Sequence, residues 1–164
     1  MTKTKEERII TKEKAVFWMD EHGRWCNAHG PFEHKKIIRY FNSSIRRDDA
    51  GYFVAQEYDG LMEKVYFRYQ VTPLFALDLI ETQPPRLLLN TESVIELRPE
   101  NLFLLDDCLY MYCGDECIKC SPRVMLKLSD RLKFEDGVCS FQFDDATWRP
   151  ICEIKGPCKN NFMV

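Results

Sequence analysis

The sequence predicts an α+β fold of two similar strand–helix–strand halves, with antiparallel sheets each packed on an amphipathic helix. Three observations predict it. Asp59-Gly60 stands between two strand-like runs, and Asp-Gly there is a strong hairpin signal because both central residues of a type I′ turn take positive φ. Two segments carry an apolar stripe of helical period, Ile37, Ile38, Phe41 and Ile45 in one and Met125, Leu128 and Leu132 in the other. Each stripe follows a short hairpin-like stretch and leads through acids and a glycine, Asp48-Asp49-Ala50-Gly51 and Glu135-Asp136-Gly137, into a further strand. The matching order of these pieces suggests an internal repeat.

Taken in order, residues 1–14 form a polar segment and residues 15–82 the first half. Ala15 to Met19 and Arg24 to Ala28 read as strands around the turn Asp20 to Gly23. Gly30-Pro31 breaks the second strand, and a helix is expected from about His34 to Ile45. Tyr52 to Tyr58 and Leu61 to Gln70 are the hairpin strands, and Leu74 to Glu81 fits either a strand or a short buried helix. Gln83-Pro84-Pro85 marks the boundary, and residues 83–150 form the second half. Arg86 to Asn90, Val94 to Leu97 and Asn101 to Leu105 read as strands. Leu109 to Cys113 and Cys117 to Cys120 read as a hairpin. Ser121-Pro122 opens a helix that runs to about Lys133, with a capping hydroxyl followed by proline at the first helical position. Val138 to Phe143 is the next strand, and residues 151–164 read as a loosely structured tail.

Composition narrows the function classes. The hydrophobic fraction of 45% and charged fraction of 30% are those of a folded globular chain. A balance of 23 basic against 26 acidic residues supplies no electrostatic footprint for a nucleic-acid backbone or a membrane surface. Lys35, Lys36, Arg39, Arg46 and Arg47 read as a solvated helix face. No apolar stretch approaches the roughly 20 residues that span a bilayer, and the charged N-terminus lacks an apolar run of the secretory kind. The chain is therefore expected in the cytoplasm, with its eight cysteines as reduced thiols or metal ligands rather than a disulfide frame.

In the first half, Gly23-Arg24-Trp25, Gly30-Pro31-Phe32, Ile38 to Phe41, Gly51-Tyr52-Phe53, Glu63-Lys64-Val65 and Thr72-Pro73-Leu74-Phe75 occur in that order. In this order and spacing the chain resembles the bacterial domain-of-unknown-function family numbered twelve-eighty-five, from about Phe17 to Phe143. The second half is similar through Leu89-Asn90-Thr91 and the segment from Ser121 to Phe141. The resemblance implies two similar α+β halves and a role in signalling or ligand sensing. The sequence departs from the family pattern at Asp59-Gly60-Leu61-Met62, where the family has threonine–proline, and in the cysteine richness of its second half.

Cys113-x3-Cys117-x2-Cys120 is the sharpest chemical pattern. The same spacing holds the cluster of radical enzymes that cleave S-adenosylmethionine, but those are built on a large αβ barrel, which needs alternating strand–helix units that this chain lacks. A zinc or iron–sulfur site with Cys108 as fourth ligand is the alternative functional reading, against reduced thiols packed on a hairpin. His22-x3-Cys26-x2-His29 offers only three ligands. The acid pairs Asp48-Asp49, Asp106-Asp107 and Asp144-Asp145 fall where turns are expected and read as solvated. No phosphate-cradling glycine loop is present among seven glycines.

The sequence is accordingly read as a non-enzymatic binding or regulatory module for a small ligand or partner protein. No catalytic residue, metal or cofactor is assigned. The expected ligand site is Trp25 as a half-exposed stacking face, the Gly30-Pro31 turn, and Glu63 and Lys64 on their strand, in a groove where the halves meet. Arg46 or Arg68 is the expected partner of an inward Glu63.

Overall fold

Alternation of apolar and polar residues writes most of this chain as short strands, and the computed structural model describes residues 6–144 and 147–154. The chain divides after Pro73 into two units. The boundary expected at Gln83-Pro84-Pro85 therefore lies inside the second unit. The ambiguous run after Leu74 is a strand whose hydrogen bonds go forward to later residues rather than back to the first unit.

The first unit contains β1 (Glu7–Ile10), β2 (Phe17–Met19), β3 (Trp25–Asn27), β4 (Gly30–Pro31), α1 (Lys35–Ser43), β5 (Ile45–Asp48), β6 (Gly51–Tyr58) and β7 (Leu61–Tyr66). One sheet has the order β1-β7-β6-β5 and the other β2-β3-β4. The β6–β7 hairpin turns at Asp59 (φ 51°) and Gly60 (φ 75°), the two positive angles that the dipeptide implied. In the turn before β3, the Asp20 carboxylate accepts the backbone N–H groups of His22 and Arg24, both at 2.9 Å. The N-terminal segment is not merely polar chain: β1 adds in parallel to the edge of β7, pairing Glu7 with Met62 and Ile10 with Val65.

Helix α1 stops short of the expected Ile45. The Ser44 hydroxyl donates to the Tyr40 carbonyl at 2.6 Å and the Ser43 hydroxyl to the same oxygen at 3.0 Å. Both hydroxyls land on the one Tyr40 carbonyl, which also accepts the Ser44 N–H at 3.1 Å, and this local side-chain bonding, typical of serine, closes the last turn. Ile45 is buried, but as the first residue of β5. Arg46 and Arg47 are thus exposed strand residues, not a helix face. Ile38 and Phe41 are only half-buried and Ile37 is exposed.

The core of this unit is aromatic. Trp25 is 1% exposed and meets Phe17, Phe41 and Phe67 with centroids 5.7, 5.3 and 4.8 Å away, in edge-to-face arrangements. Its indole N–H donates to Asn42 Oδ1 at 2.7 Å, which satisfies the one polar atom of the ring.

The second unit contains β8 (Phe75–Ile80), β9 (Arg86–Leu89), β10 (Val94–Glu96), β11 (Leu102–Leu105), β12 (Cys108–Cys113), β13 (Glu116–Cys120), α2 (Pro122–Lys127), β14 (Leu132–Glu135), β15 (Val138–Gln142), β16 (Trp148–Pro150) and β17 (Cys152–Ile154). Its large sheet has the order β10-β9-β8-β13-β12-β11-β17, and a smaller one the order β14-β15-β16. Most neighbours are antiparallel; β8 with β13 and β11 with β17 are parallel. The β11–β12 turn uses Asp106 and Asp107 at positive φ, so this acid pair serves the backbone. The pair Asp144-Asp145 is split by the limit of the described residues, since Asp145 lies outside them. The tail expected at residues 151–164 is ordered at its start, because β17 pairs with β11; the rest of it, residues 155–164, lies outside the described residues.

Helix α2 begins as the sequence implied, with the Ser121 side chain accepting the Val124 N–H at 3.4 Å. It ends six residues before the expected Lys133. Ser129 takes the Leu126 carbonyl at 2.8 Å, a tight turn follows at Ser129–Arg131, and Leu132 opens β14. Val124 is the buried helix position; of the expected stripe only Leu128, which caps the helix, is buried, while Met125 and Leu132 are half-buried. The helix is tied to β8 by Asp78, whose Oδ1 meets Lys127 Nζ at 2.7 Å and Arg123 Nε at 3.1 Å. These two hydrogen-bonded cations hold the Asp78 carboxyl down at about 2.

Two expected outcomes test these ties. Asn42→Leu leaves the Trp25 N–H buried and unpaired and should lower unfolding free energy by about 1–3 kcal/mol. Denaturant melts should show that Asn42→Leu costs less in a Trp25→Phe background, where no indole N–H is left unpaired. For Asp78, the folded pKa lies below the unfolded one. Its stabilising contribution is therefore complete above the unfolded value near 3.8 and is lost as pH falls toward about 2. Melting temperatures of the wild type and Asp78→Asn should differ at pH 7 and converge through that window.

Candidate functional site

The second unit bears a cleft of about 450 Å³ whose lining belongs to it alone. One wall is the β8–β9 connection, Gln83-Pro84-Pro85. The next is the stretch from Glu96 to Glu100 at the end of β10. The third is Arg131 with the end of β15 from Phe141 to Asp144. Leu97 and Phe141, 3% and 1% exposed, bring apolar bulk to the lining. The walls are joined by backbone: the Leu97 N–H donates to the Pro85 carbonyl at 2.9 Å. Proline at 84, 85 and 99 removes the N–H donor at each of those positions and stiffens the stretches. A hollow of about 250 Å³ also takes in Gln83, Pro85 and Arg131, and reaches Lys127.

The chemistry of the cleft is carried by side chains at its mouth. Alternation in the extended stretch buries Leu97 and turns Glu96 and Arg98 outward, where both line the cleft. Among the described residues the guanidinium groups of Arg98 and Arg131 and the carboxylates of Glu96 and Glu100 have no hydrogen-bond or ion-pair partner. The Arg149 guanidinium lies over the Phe143 ring, 4.4 Å from its centroid.

The residues expected from sequence to form a ligand site lie elsewhere. Trp25 is core rather than a half-exposed stacking face, because its ring is enclosed by three phenylalanines and its N–H is already bonded. Gly30 and Pro31 form β4, paired to β3. Glu63 and Lys64 sit on β7 in the other sheet and, as strand neighbours, face opposite ways. Glu63 lies 3.8 Å from Arg8 of β1, not beside Arg46 or Arg68. Lys64 is held by Glu7 at 2.9 Å and Asp48 at 3.3 Å, and the Tyr66 hydroxyl donates to Asp48 at 2.6 Å. The Tyr66 hydrogen bond, ahead of Lys64, holds the Asp48 carboxyl below its usual range, and the Glu7 bond pushes Lys64 up. These charges are satisfied by one another. The cleft residues were missed because none belongs to a motif; the one signal was the accumulation of prolines with alternating charges, Glu96, Arg98 and Glu100.

The cysteine pattern does not form a ligand set. In the β12–β13 hairpin Tyr112 pairs with Cys117 and Cys113 with Glu116. Partners share a face and strand neighbours alternate, so Cys108 and Cys117 lie on one face and Cys113 and Cys120 on the other. Cys113 stands beside the turn, while Cys120 pairs with Ala76 of β8. Among the described residues no three His, Cys, Asp or Glu side chains are grouped to hold a metal ion, and this includes His22, Cys26 and His29. Burial pushes the Cys120 thiol up to about 12 and raises Cys26 and Cys139 as well.

Fold and site together define an α+β protein of two units with an open polar cleft in the second. The chain resembles the DUF1285 family. It matches the crystal structure of a DUF1285 family protein from Silicibacter pomeroyi DSS-3 with a TM-score of 0.58 and 14% identity, over 91% of this chain and 84% of that one. A DUF1285 family protein from Shewanella baltica OS155 matches with a TM-score of 0.49 and 17% identity, over 70% of this chain and 91% of that one. At such identities the likeness concerns the fold. No family model and no curated protein matches the sequence. No helix among the described residues is long and apolar enough to cross a membrane.

The thiols yield a direct test. Cys113 and Cys152 are exposed, whereas Cys117 and Cys120 are 1% and 4% exposed. Mass spectrometry after a brief maleimide pulse on native protein should show the first two modified. Cys117 and Cys120 should react only after denaturation.

Proposed function

We propose that this chain is a non-enzymatic binding module that takes up a small ligand in the cleft of the second unit. The observation that carries the reading is the cleft itself: about 450 Å³, within the usual range for small-molecule sites, with apolar bulk in its lining and unpaired polar groups at its mouth. Elsewhere, the charges around Lys64 and Asp78 are consumed by structural pairs. A non-enzymatic role is supported by the thiols. An activated cysteine has a lowered pKa and a neighbouring base, whereas Cys26, Cys120 and Cys139 are all shifted upward. A duplicated origin belongs to the same proposal. Its support is the shared order of hairpin, helix and hairpin in β2 to β6 and in β12 to β15.

The experiment is amide NMR of the labelled protein titrated with defined mixtures of amino acids, nucleotides and sugar phosphates. Binding should move the resonances of Leu97, Arg98 and Phe141 to Phe143. Gln83→Trp places an indole at the mouth of the cleft and should weaken that binding at least about tenfold, or about 1.4 kcal/mol. Shifts confined to Gly30, Glu63 and Lys64 would instead favour the site expected from sequence.

A further inference from the structure

We infer that the ligand is a small zwitterion, a free amino acid or short peptide that carries a carboxylate and an ammonium group; this rests on the cleft being the binding site. The inference comes from how charge is divided around the mouth. The stretch that ends β10 brings one cation, Arg98, between two acids, Glu96 and Glu100. The facing wall brings one cation, Arg131, with Asp144. Each wall therefore carries both signs. Glu96, Arg98, Glu100 and Arg131 have no partner among the described residues, so their hydrogen-bonding capacity is open to a ligand.

Simple ions of either sign fit this arrangement poorly. A phosphate or other polyanion would meet two guanidinium groups but also three carboxylates close by. A polyamine would meet the carboxylates and be repelled by Arg98 and Arg131. A zwitterion satisfies both sets. Its carboxylate matches the planar fork of an arginine, which favours two parallel N–H···O bonds. Its ammonium group matches the open carboxylates of Glu96 and Glu100. Arg131 also lines the adjoining hollow of about 250 Å³ beside Lys127. A ligand anchored on Arg131 thus has room for a side chain on either side of that residue, and the apolar surface of Leu97 and Phe141 favours an uncharged one.

The test uses the full chain and amide NMR with individual L-amino acids and dipeptides as probes. Their N-acetyl and C-amide derivatives, inorganic phosphate, a sugar phosphate and spermidine serve as comparisons. At least one zwitterion should shift cleft resonances, and blocking either of its charged ends should weaken binding at least tenfold. Arg131→Gln and Glu96→Gln, both at exposed positions without partners, should fold normally and weaken the same ligand. Cleft shifts produced as readily by phosphate, the sugar phosphate, spermidine or a blocked derivative would overturn the zwitterion assignment and leave the cleft as a binding site. If no probe of any class moves the cleft resonances, or all shifts map elsewhere, the cleft reading falls together with the assignment.

Discussion

The second unit depends on a short parallel seam. Strand β8 joins the meander β8-β9-β10 to the meander β13-β12-β11 through only two register pairs, Lys119 with Phe75 and Cys120 with Ala76. So brief a seam leaves little ladder to hold two halves of a sheet in place. Other contacts gather on the same strand. The Ser121 N–H donates to the Ala76 carbonyl at 3.0 Å, Asp78 grips two cations of α2, and the Asn90 side chain, 5% exposed, accepts the Phe75 N–H at 3.0 Å. The Asn90 bond is buried, and together these contacts make β8 the element from which the connections lining the cleft take their positions.

Charged residues in this protein fall into two kinds. Around Lys64 and around Asp78, opposite charges on different elements meet at hydrogen-bonding distance. Such groups hold strands and a helix together and offer a ligand little, because a newcomer must displace an existing partner. Around the cleft, Glu96, Arg98 and Glu100 on one wall and Arg131 on another have no partner among the described residues. They remain solvated in the absence of a ligand and cost little to keep in that state. The difference is one of satisfaction rather than of residue type, and it separates structural polarity from polarity available for recognition.

The reach of sequence reasoning followed the range of the forces involved. Features set by neighbours along the chain were legible: the Asp59-Gly60 turn, the Ser121-Pro122 helix start and the β12–β13 hairpin all lie where their residues imply. Helix ends were read too late because an apolar stripe continued past the serines that stop each helix. Ile45 and Leu132 keep the helical spacing while serving as the first residues of strands. Trp25 shows the same limit at the level of a single side chain. A tryptophan on a short strand beside a turn can face solvent or core, and only the arrival of Phe41, Phe67 and Asn42 from other elements decides it.

The sequence by itself determined the class, the hairpins and the lack of a charge footprint for nucleic acid, because composition and local turn chemistry act within a few residues. Tertiary structure alone decided the rest. Strand register sent Cys108, Cys113, Cys117 and Cys120 to opposite faces of one hairpin, since side-chain direction alternates and a spacing in sequence does not fix a meeting in space. The parallel addition of β1 to β7 made an ordered strand of residues that read as polar chain. The cleft arose where three connections, far apart in sequence, are brought to face one another by a sheet whose strand order does not follow the chain.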